Sequence, residues 1–160
     1  MAGMEKIVHI IPLGHEYDRA MKPFEESNAD RVYILTRWYD PSAAMKMVDD
    51  QRYYASKVRD ALLKRGIDVR CESVNLFDFL EVTKSISKII VREKAEGNRI
   101  QMNMSAAGRL TSVAATLVGM HHDVQVYYVH ADDYPDEPDK RQEHGLSICD
   151  SNKVTYLTNL

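Results

Sequence analysis

The sequence has few cysteines and no long apolar run. Its 160 residues include only two cysteines, Cys71 and Cys149, and neither belongs to a CxxC pair. This spacing excludes zinc-finger and thioredoxin motifs and predicts two reduced thiols in a cytosolic protein. No apolar run approaches the roughly 18 residues that a membrane-spanning helix needs. Because the first residues also lack the layout of a signal peptide, the sequence predicts a soluble, cytoplasmic protein without a membrane partner.

An excess of basic residues is also missing. Lys and Arg number 21 against 24 Asp and Glu, so the formal net charge is -3. Proteins that bind duplex DNA usually carry a clear positive charge, so we do not expect this chain alone to bind a nucleic-acid duplex. A small anionic ligand is still compatible with this charge, because it needs only local hydrogen-bond donors.

The motifs of the common cofactor sites are absent as well. The sequence contains neither the GxGxxG dinucleotide fingerprint nor the Walker A pattern. No Ser–His–Asp or Cys–His set can be argued from the spacing of those residues. The sequence therefore predicts no cofactor and no structural metal.

What the sequence does contain is a regular alternation of strand-like and helix-like segments. Strands are predicted over residues 5–13, 31–37, 67–74, 98–104, 124–130 and 153–158. Helices are predicted over residues 16–27, with Pro23 as an interruption, and over 43–65, 77–95 and 108–121. This order predicts a Rossmann-like, doubly wound α/β fold: a mostly parallel six-stranded sheet with helices on both faces.

The end of the chain departs from this alternation. Residues 131–152 are acidic and polar, contain Pro135, Pro138 and Gly145, and are predicted to form a long loop or hairpin insertion. No helix separates the fifth strand from the sixth, so the sixth strand is expected to run antiparallel. The whole chain, residues 1–160, is thus predicted to be one domain.

The loop after the first strand is the first candidate site. In doubly wound sheets, ligands bind beyond the carboxyl ends of the strands, at the switch in strand order. Gly14 permits a tight turn there, and the following helix offers free N–H groups. The candidate ligand-binding residues are Gly14, His15, Glu16, Asp18 and Arg19. Capping and solvation of that helix would explain the polar side chains equally well.

The loop after the fourth strand is the second candidate site. Its small residues allow a ligand to approach the backbone, and Ser105 is predicted to cap the next helix and donate its hydroxyl to a phosphate. Arg109 lies in the first helical turn, where the helix dipole disfavours a cation unless an anion is bound. An ordinary strand-to-helix turn with a solvated arginine is the alternative. The candidate residues are Asn103, Ser105, Ala106, Ala107, Gly108 and Arg109.

Other candidates point less clearly to a ligand. His121 and His122 lack a third metal ligand and are typical of a helix C-terminus. Trp38 and Tyr39 end the second strand, where an aromatic ring either stacks on a base or packs at the rim of the core. The pairs 49–50 and 132–133, all aspartates, are typical of solvated surface.

The two loops together resemble those of the CRISPR-associated Rossmann-fold (CARF) domains. Members have a polar, glycine-containing loop after the first strand and an Asn-x-Ser/Thr-Gly-Gly-Thr-Lys/Arg motif after the fourth. Here the second motif reads NMSAAGR. Ala106 and Ala107 replace the double glycine, Arg109 matches the basic position, and the threonine before it has no counterpart. Within the family, the chain is most similar to archaeal regulators that join such a domain to a winged helix-turn-helix.

The resemblance implies a homodimeric sensor of a nucleotide-like anionic ligand, such as cyclic oligoadenylate, that regulates an attached or partner transcriptional effector. It also implies that a C-terminal DNA-binding domain is missing from this chain. An alternative is a metal-independent phosphodiesterase (ring nuclease), in which Arg109 stabilises the transition state and His15 is the general base. A dimerisation scaffold with a vestigial site is the third possibility. The sensor, without turnover, is the expected function.

Overall fold

The described residues form a six-stranded sheet flanked by four α-helices. The computed structural model describes residues 3–38, 46–130 and 154–157, and of residues 46–50 only the backbone. The strands are β1 (Ile7–Pro12), β2 (Arg31–Thr36), β3 (Asp68–Ser73), β4 (Arg99–Asn103), β5 (Gln125–Val129) and β6 (Val154–Leu157). The helices are α1 (Tyr17–Met21), α2 (Lys46–Lys64), α3 (Phe79–Ala95) and α4 (Arg109–His121), with a 3-10 turn at Lys22–Glu25.

The strand order is β3-β2-β1-β4-β5-β6. The first five strands are parallel, and β6 pairs antiparallel with β5. The predicted fold class and the direction of the last strand are therefore confirmed. The order reverses between β1 and β4, so the loops that follow these two strands flank the topological switch point.

In the central strands, neighbouring side chains pack on opposite faces of the sheet. In β1, Val8 and Ile10 pack on the side that carries α3 and α4, whereas Ile11 packs on the side of α1 and α2. The same alternation places Tyr33 and Ile34 of β2 on opposite sides. Such central strands read as continuous apolar runs because both of their faces are covered.

The first helical segment is interrupted as predicted. α1 has only five residues, and Pro23 lies near the start of the short 3-10 helix that follows it. Proline lacks the N–H that would continue the α-helical ladder, but it is tolerated at the start of a new turn.

In α4, the apolar positions of the sequence do not all face the core. Leu110, Val113 and Leu117 are 47%, 52% and 55% exposed. The residues that α4 turns toward the sheet are mostly small: Thr111, Ala114, Ala115, Val118 and Gly119. The buried side of α4 is thus formed mostly by small residues, and its larger apolar side chains stay exposed.

A buried ion-pair network that the sequence did not indicate lies at the amino edge of the sheet. Arg31, at the start of β2, donates to both carboxylate oxygens of Glu93 in α3, at 2.8 and 3.0 Å. Tyr33 and Asn98 also donate to this fully buried carboxylate. Burial opposes the ionisation of Glu93, but the three donors outweigh it and hold its pKa below the usual value.

Several predicted features lie outside the described residues. They are the acidic segment 131–152, the aspartates 132–133, Cys149 and Tyr39, and for the aspartates 49–50 no side chain is described. Within the described chain, Cys71 is exposed and free. No described helix combines the length and the apolar character needed to cross a bilayer.

We predict that Gly119→Ala destabilises the domain by about 1–3 kcal/mol, because it overpacks the interface of α4 with the sheet. A Cβ at Gly119 would lie 2.5 Å from Cγ2 of Val126 in β5. Urea unfolding of the variant measures this cost.

The double variant Gly119→Ala/Val126→Ala is the control. Removing the clashing methyl group should make the two costs less than additive. Strict additivity would contradict a clash between these two residues.

Candidate functional site

The two loops predicted from the sequence meet at the switch point. The N–H of Gly14, after β1, donates to the carbonyl oxygen of Ala106, after β4, over 2.9 Å. The loops are thus joined by a backbone hydrogen bond, and their relative position is set without a ligand. Gly14 does not have a positive φ; in the described chain only Gly66 and Gly97 do among the glycines.

The side chain of Asn103, at the end of β4, fastens both loops. Its amide nitrogen donates to the carbonyl oxygen of Arg19 at 3.0 Å. Its amide oxygen accepts from the N–H and the hydroxyl of Ser105, each at 2.8 Å. Asn103 is 1% exposed, so it holds the site together from beneath and does not line it.

Ser105 has a different role from the one predicted. It is 1% exposed, and its hydroxyl accepts from the N–H of Val129 at 3.0 Å while it donates to Asn103. The expectation that it caps α4 is wrong: the N-cap is Gly108, which supplies no side-chain hydrogen bond. The serine hydroxyl uses its hydrogen bonds to link the end of β4 to β5, because a buried hydroxyl needs partners within the protein.

A buried pair of rings supports this arrangement from the core. Nδ1 of His9 in β1 lies 2.9 Å from the hydroxyl of Tyr127 in β5, and both side chains are fully buried. Burial raises the pKa of Tyr127, although a hydrogen bond with Asn103 opposes the shift. Burial lowers the pKa of His9 to about 4, so its ring is neutral at physiological pH.

Arg19, from α1, reaches across to the second loop. Its guanidinium lies 5.5 Å from the centre of the Tyr128 ring and 3.4 Å, through Nη1, from the carbonyl oxygen of Ser105. Its Nε is 4.0 Å from a carboxylate oxygen of Glu16. These contacts fix the cation over an aromatic face at the carboxyl end of β5.

Two adjoining clefts open at this edge of the sheet. The first, which we name the arginine cleft, has a volume of about 440 Å³ and is lined by Glu16, Arg19, Met104, Ser105, Ala107, Arg109, Ser112 and Tyr128. The second, the glutamine cleft, has a volume of about 170 Å³ and is lined by Gly14, His15, Glu16, Gln51, Leu76, Phe77, Ala107, Gly108 and Thr111. Glu16 and Ala107 form the wall between them.

Arg109 is the exposed cation of the arginine cleft. It is the first residue of α4, and no acidic residue lies in that turn. Among the described residues, no hydrogen bond or ion pair of its side chain is found. A cation at a helix N-terminus is disfavoured by the dipole, so an anion in this cleft would relieve the repulsion.

Most predicted residues lie in the cleft walls, but three do not. Asp18, Asn103 and Ala106 line neither cleft. The two catalytic candidates are separated, since His15 lines the glutamine cleft and Arg109 lines the arginine cleft.

Further wall residues were missed by the sequence analysis: Gln51, Leu76, Phe77, Met104, Thr111, Ser112 and Tyr128. Tyr128 had a usable signal, because it stands near the carboxyl end of a predicted strand. Thr111 had a weaker one as a polar residue among the apolar positions of α4; its hydroxyl donates to the carbonyl oxygen of Leu76 at 2.9 Å.

The other candidates have structural partners. Trp38 donates from its indole nitrogen to the carbonyl oxygen of Ile34 at 3.2 Å and lines neither cleft. Nε2 of His122 lies 2.7 Å from the hydroxyl of Ser87. Within the described ranges, no group of three or more His, Cys, Asp or Glu side chains is arranged to hold a metal ion.

Fold and site together define a Rossmann-like α/β domain with its clefts at the switch point. Solved structures with this fold include Can2 from Sulfobacillus thermosulfidooxidans in complex with cyclic tetra-adenylate, 16% identical over 79% of this chain and 32% of that one, with a TM-score of 0.61. Csm6 from Enterococcus italicus, bound to cyclic hexa-2'-fluoro-hexa-dAMP, is 15% identical over 98% of this chain and 43% of that one, with a TM-score of 0.65.

A Type III CRISPR defence DNA nuclease activated by cyclic oligoadenylate is 10% identical over 82% of this chain and 20% of its own, with a TM-score of 0.62. These neighbours are CARF-domain proteins. At such identities the likeness shows the fold, and this chain spans less than half the length of each neighbour.

The sequence itself identifies the family. Residues 7–134 match the family model described as "HFX_2341_N:-like, N-terminal", and the chain belongs to that family. No curated protein matches the sequence significantly.

We predict that the buried His9 makes the fold sensitive to mild acid. In the unfolded chain its pKa is about 6.5, and in the fold burial lowers it to about 4. Between these values only the unfolded chain takes up the proton, so the free energy of unfolding falls as the pH falls. From pH 7 to pH 5 the loss from this group is about 2 kcal/mol, measured by urea unfolding.

His9→Asn is the control, because its amide can still bond to Tyr127 but does not titrate. Groups other than residue 9 titrate equally in both proteins, so the difference between their pH profiles isolates His9. Parallel profiles between pH 7 and pH 5 would show that the buried ring does not carry the effect.

Proposed function

We propose that this chain is a ligand-sensing domain that binds cyclic oligoadenylate in its two clefts as a homodimer. The ligand's phosphates lie in the arginine cleft. Binding is passed to an attached or partner transcriptional effector, and the chain acts in the cytoplasm. Gly14, His15, Glu16, Arg19, Ala107, Gly108 and Arg109 contact the ligand, whereas Asn103, Ser105 and Ala106 hold the two loops together.

The observation that carries the proposal is the pair of arginines at the switch point. Arg19 is held by Ser105 and the Tyr128 ring, and Arg109 is exposed at the start of α4 without an acidic neighbour in its turn. Two guanidinium groups beside a helix N-terminus form a favourable place for phosphate oxygens. A charge-assisted contact of this kind is stronger than a neutral hydrogen bond.

The structural neighbours support the choice of ligand. Two of them are bound to cyclic oligonucleotides, and a third is a nuclease activated by cyclic oligoadenylate. We propose the same class of ligand for this chain because it shares the fold of these proteins and has an arginine-lined cleft.

The exposed stripe of α4 supports the homodimer. Leu110, Val113, Leu117 and Met120 follow one another at spacings of three or four residues, and each is at least 41% exposed. A contiguous apolar stripe on a surface helix is typical of an interface. A two-fold contact is the commonest symmetry of soluble oligomers. The stripe begins beside Arg109, so this contact would place the arginine clefts of both copies near one groove.

The effector follows from the resemblance to regulators that carry a winged helix-turn-helix. The chain covers 32% and 43% of Can2 and Csm6, so those proteins contain much that has no counterpart in these 160 residues. A sensor of this size acts on another domain or on a partner protein.

We predict that Arg109→Ala weakens binding of cyclic tetra- or hexa-adenylate by about 1.5–3 kcal/mol, through loss of a charge-assisted contact to phosphate. This corresponds to a roughly tenfold to 150-fold higher Kd in calorimetric titration. The melting temperature should hardly change, because exposed substitutions alter stability by about half a kcal/mol or less.

Arg99→Ala is the matched control. Arg99 is an exposed arginine at the opposite, amino end of β4. Removing it changes the net charge equally but leaves the clefts intact. The proposal is wrong if wild-type protein binds neither ring, or if both arginine variants weaken binding to the same extent.

We predict that Leu117→Asp converts the dimer into a monomer, because it places a charge in the centre of the apolar stripe of α4. Light scattering at micromolar concentration measures the mass of the particle. Leu63→Asp, on an exposed position of α2 on the other side of the sheet, should remain dimeric. A wild-type protein that is monomeric throughout would refute the proposed interface.

A further inference from the structure

The two clefts differ in chemistry. The arginine cleft contains two guanidinium groups, whereas the described wall of the glutamine cleft contains neither Lys nor Arg. The glutamine cleft is instead lined by the carboxylate of Glu16, the amide of Gln51 and the aromatic ring of Phe77, which is 60% exposed. A phosphate would be repelled by the carboxylate and would find no cation among the described residues of this wall.

Gln51 is the unusual member of this wall. It belongs to α2, and only 5% of its surface is exposed. Among the described residues, no hydrogen bond to its side-chain amide is found, although it borders the cleft. Its amide is not among the fully buried polar groups that lack a partner in the described chain, so the small exposed part of the side chain is compatible with an amide that reaches the cleft. A molecule in the cleft that both donates and accepts hydrogen bonds could pair with this amide.

A purine with an exocyclic amine meets these requirements. A glutamine amide pairs in two places with adenine, accepting from the N6 amine and donating to N7. Glu16 offers only acceptor oxygens when ionised, so it too favours a ligand edge that carries a donor. The exposed ring of Phe77 and the half-buried ring of His15 are suited to stacking on a base.

The volume of the glutamine cleft agrees with a single base. Its roughly 170 Å³ lies well below the 300–1,000 Å³ or so of sites that hold whole drug-sized ligands. Glu16 and Ala107 line both clefts, so a phosphate beside Arg109 and a base beside Gln51 would lie on either side of one thin wall.

We infer that the glutamine cleft is the base-reading subsite of this domain, and that Gln51 selects adenine by pairing with its N6 and N7 edge. The inference rests on the proposed function and deepens it. The phosphates supply affinity in one cleft, and Gln51 supplies selectivity in the other. Gln51 is a specificity residue and has no part in any bond-breaking step.

The experiment compares two ligands on two proteins. Cyclic tetra-adenylate and cyclic tetra-inosinate have the same phosphates, but inosine presents an oxygen where adenine presents the N6 amine. The hexanucleotide rings are tested in parallel. We expect the wild-type protein to bind the adenylate ring roughly tenfold more tightly than the inosinate ring. Gln51→Met, which keeps the length but removes both hydrogen-bonding groups, should bind the two rings equally.

Arg109→Ala in the same titration separates this inference from the proposed function. It should weaken both rings by a similar factor and keep the preference for adenylate. If wild type binds neither ring, the proposed function and this inference both fail. If wild type binds the adenylate ring in an Arg109-dependent way but shows no preference over inosinate, only the role of Gln51 is refuted.

A preference that persists in Gln51→Met also refutes that role. The comparison of the two rings on wild-type protein needs no variant, so the inference is testable even where Gln51→Met does not fold.

Discussion

The arrangement of the clefts depends on one buried side chain, Asn103. Its amide nitrogen holds the carbonyl of Arg19 and its amide oxygen holds Ser105, while a backbone bond from Gly14 to Ala106 closes the other end of the contact. Both loops therefore have a fixed position before any ligand arrives. A site fixed in advance loses less conformational entropy on binding, and more of the interaction energy appears as affinity.

The opposite edge of the sheet is fixed by charges. There Arg31 links β2 to Glu93 in α3 and to Asp68 in β3, at 2.8 and 2.9 Å. A buried ion pair contributes little net stability, but removal of one partner leaves an uncompensated charge. At the carboxyl edge, the neutral amide of Asn103 links the elements instead of an ion pair. Two arginines line the cleft at this edge: Nε of Arg19 lies 4.0 Å from a carboxylate oxygen of Glu16, and Arg109 is exposed.

The sequence predicted the order and type of every described strand and α-helix. The signal was clearest for β1 and β2, which are buried along almost their whole length and therefore read as apolar runs. It also indicated two polar loops at one edge of the sheet, which the structure brings into contact. It did not distinguish side chains that are free to meet a ligand from side chains that hold the loops: Asn103 lies beneath the clefts, and Ser105 borders one of them, yet their side-chain hydrogen bonds are made within the protein. Gln51 was missed because its position depends on how α2 packs near a distant loop, which a local pattern does not encode.

The net charge describes the whole chain, whereas a bound ligand responds to the charges close to it. A total of -3 argues against a surface that attracts duplex DNA, but a bound phosphate senses only charges within about a Debye length, roughly 8 Å at physiological ionic strength. Among the described residues that line the arginine cleft, two arginines stand against the one carboxylate of Glu16. Two copies joined along α4 would double this excess around one groove. A chain that is acidic overall can therefore bind a polyanionic ring if its cations lie together at one site. Here the arginines lie on one side of the wall formed by Glu16 and Ala107, and the neutral hydrogen-bonding groups lie on the other.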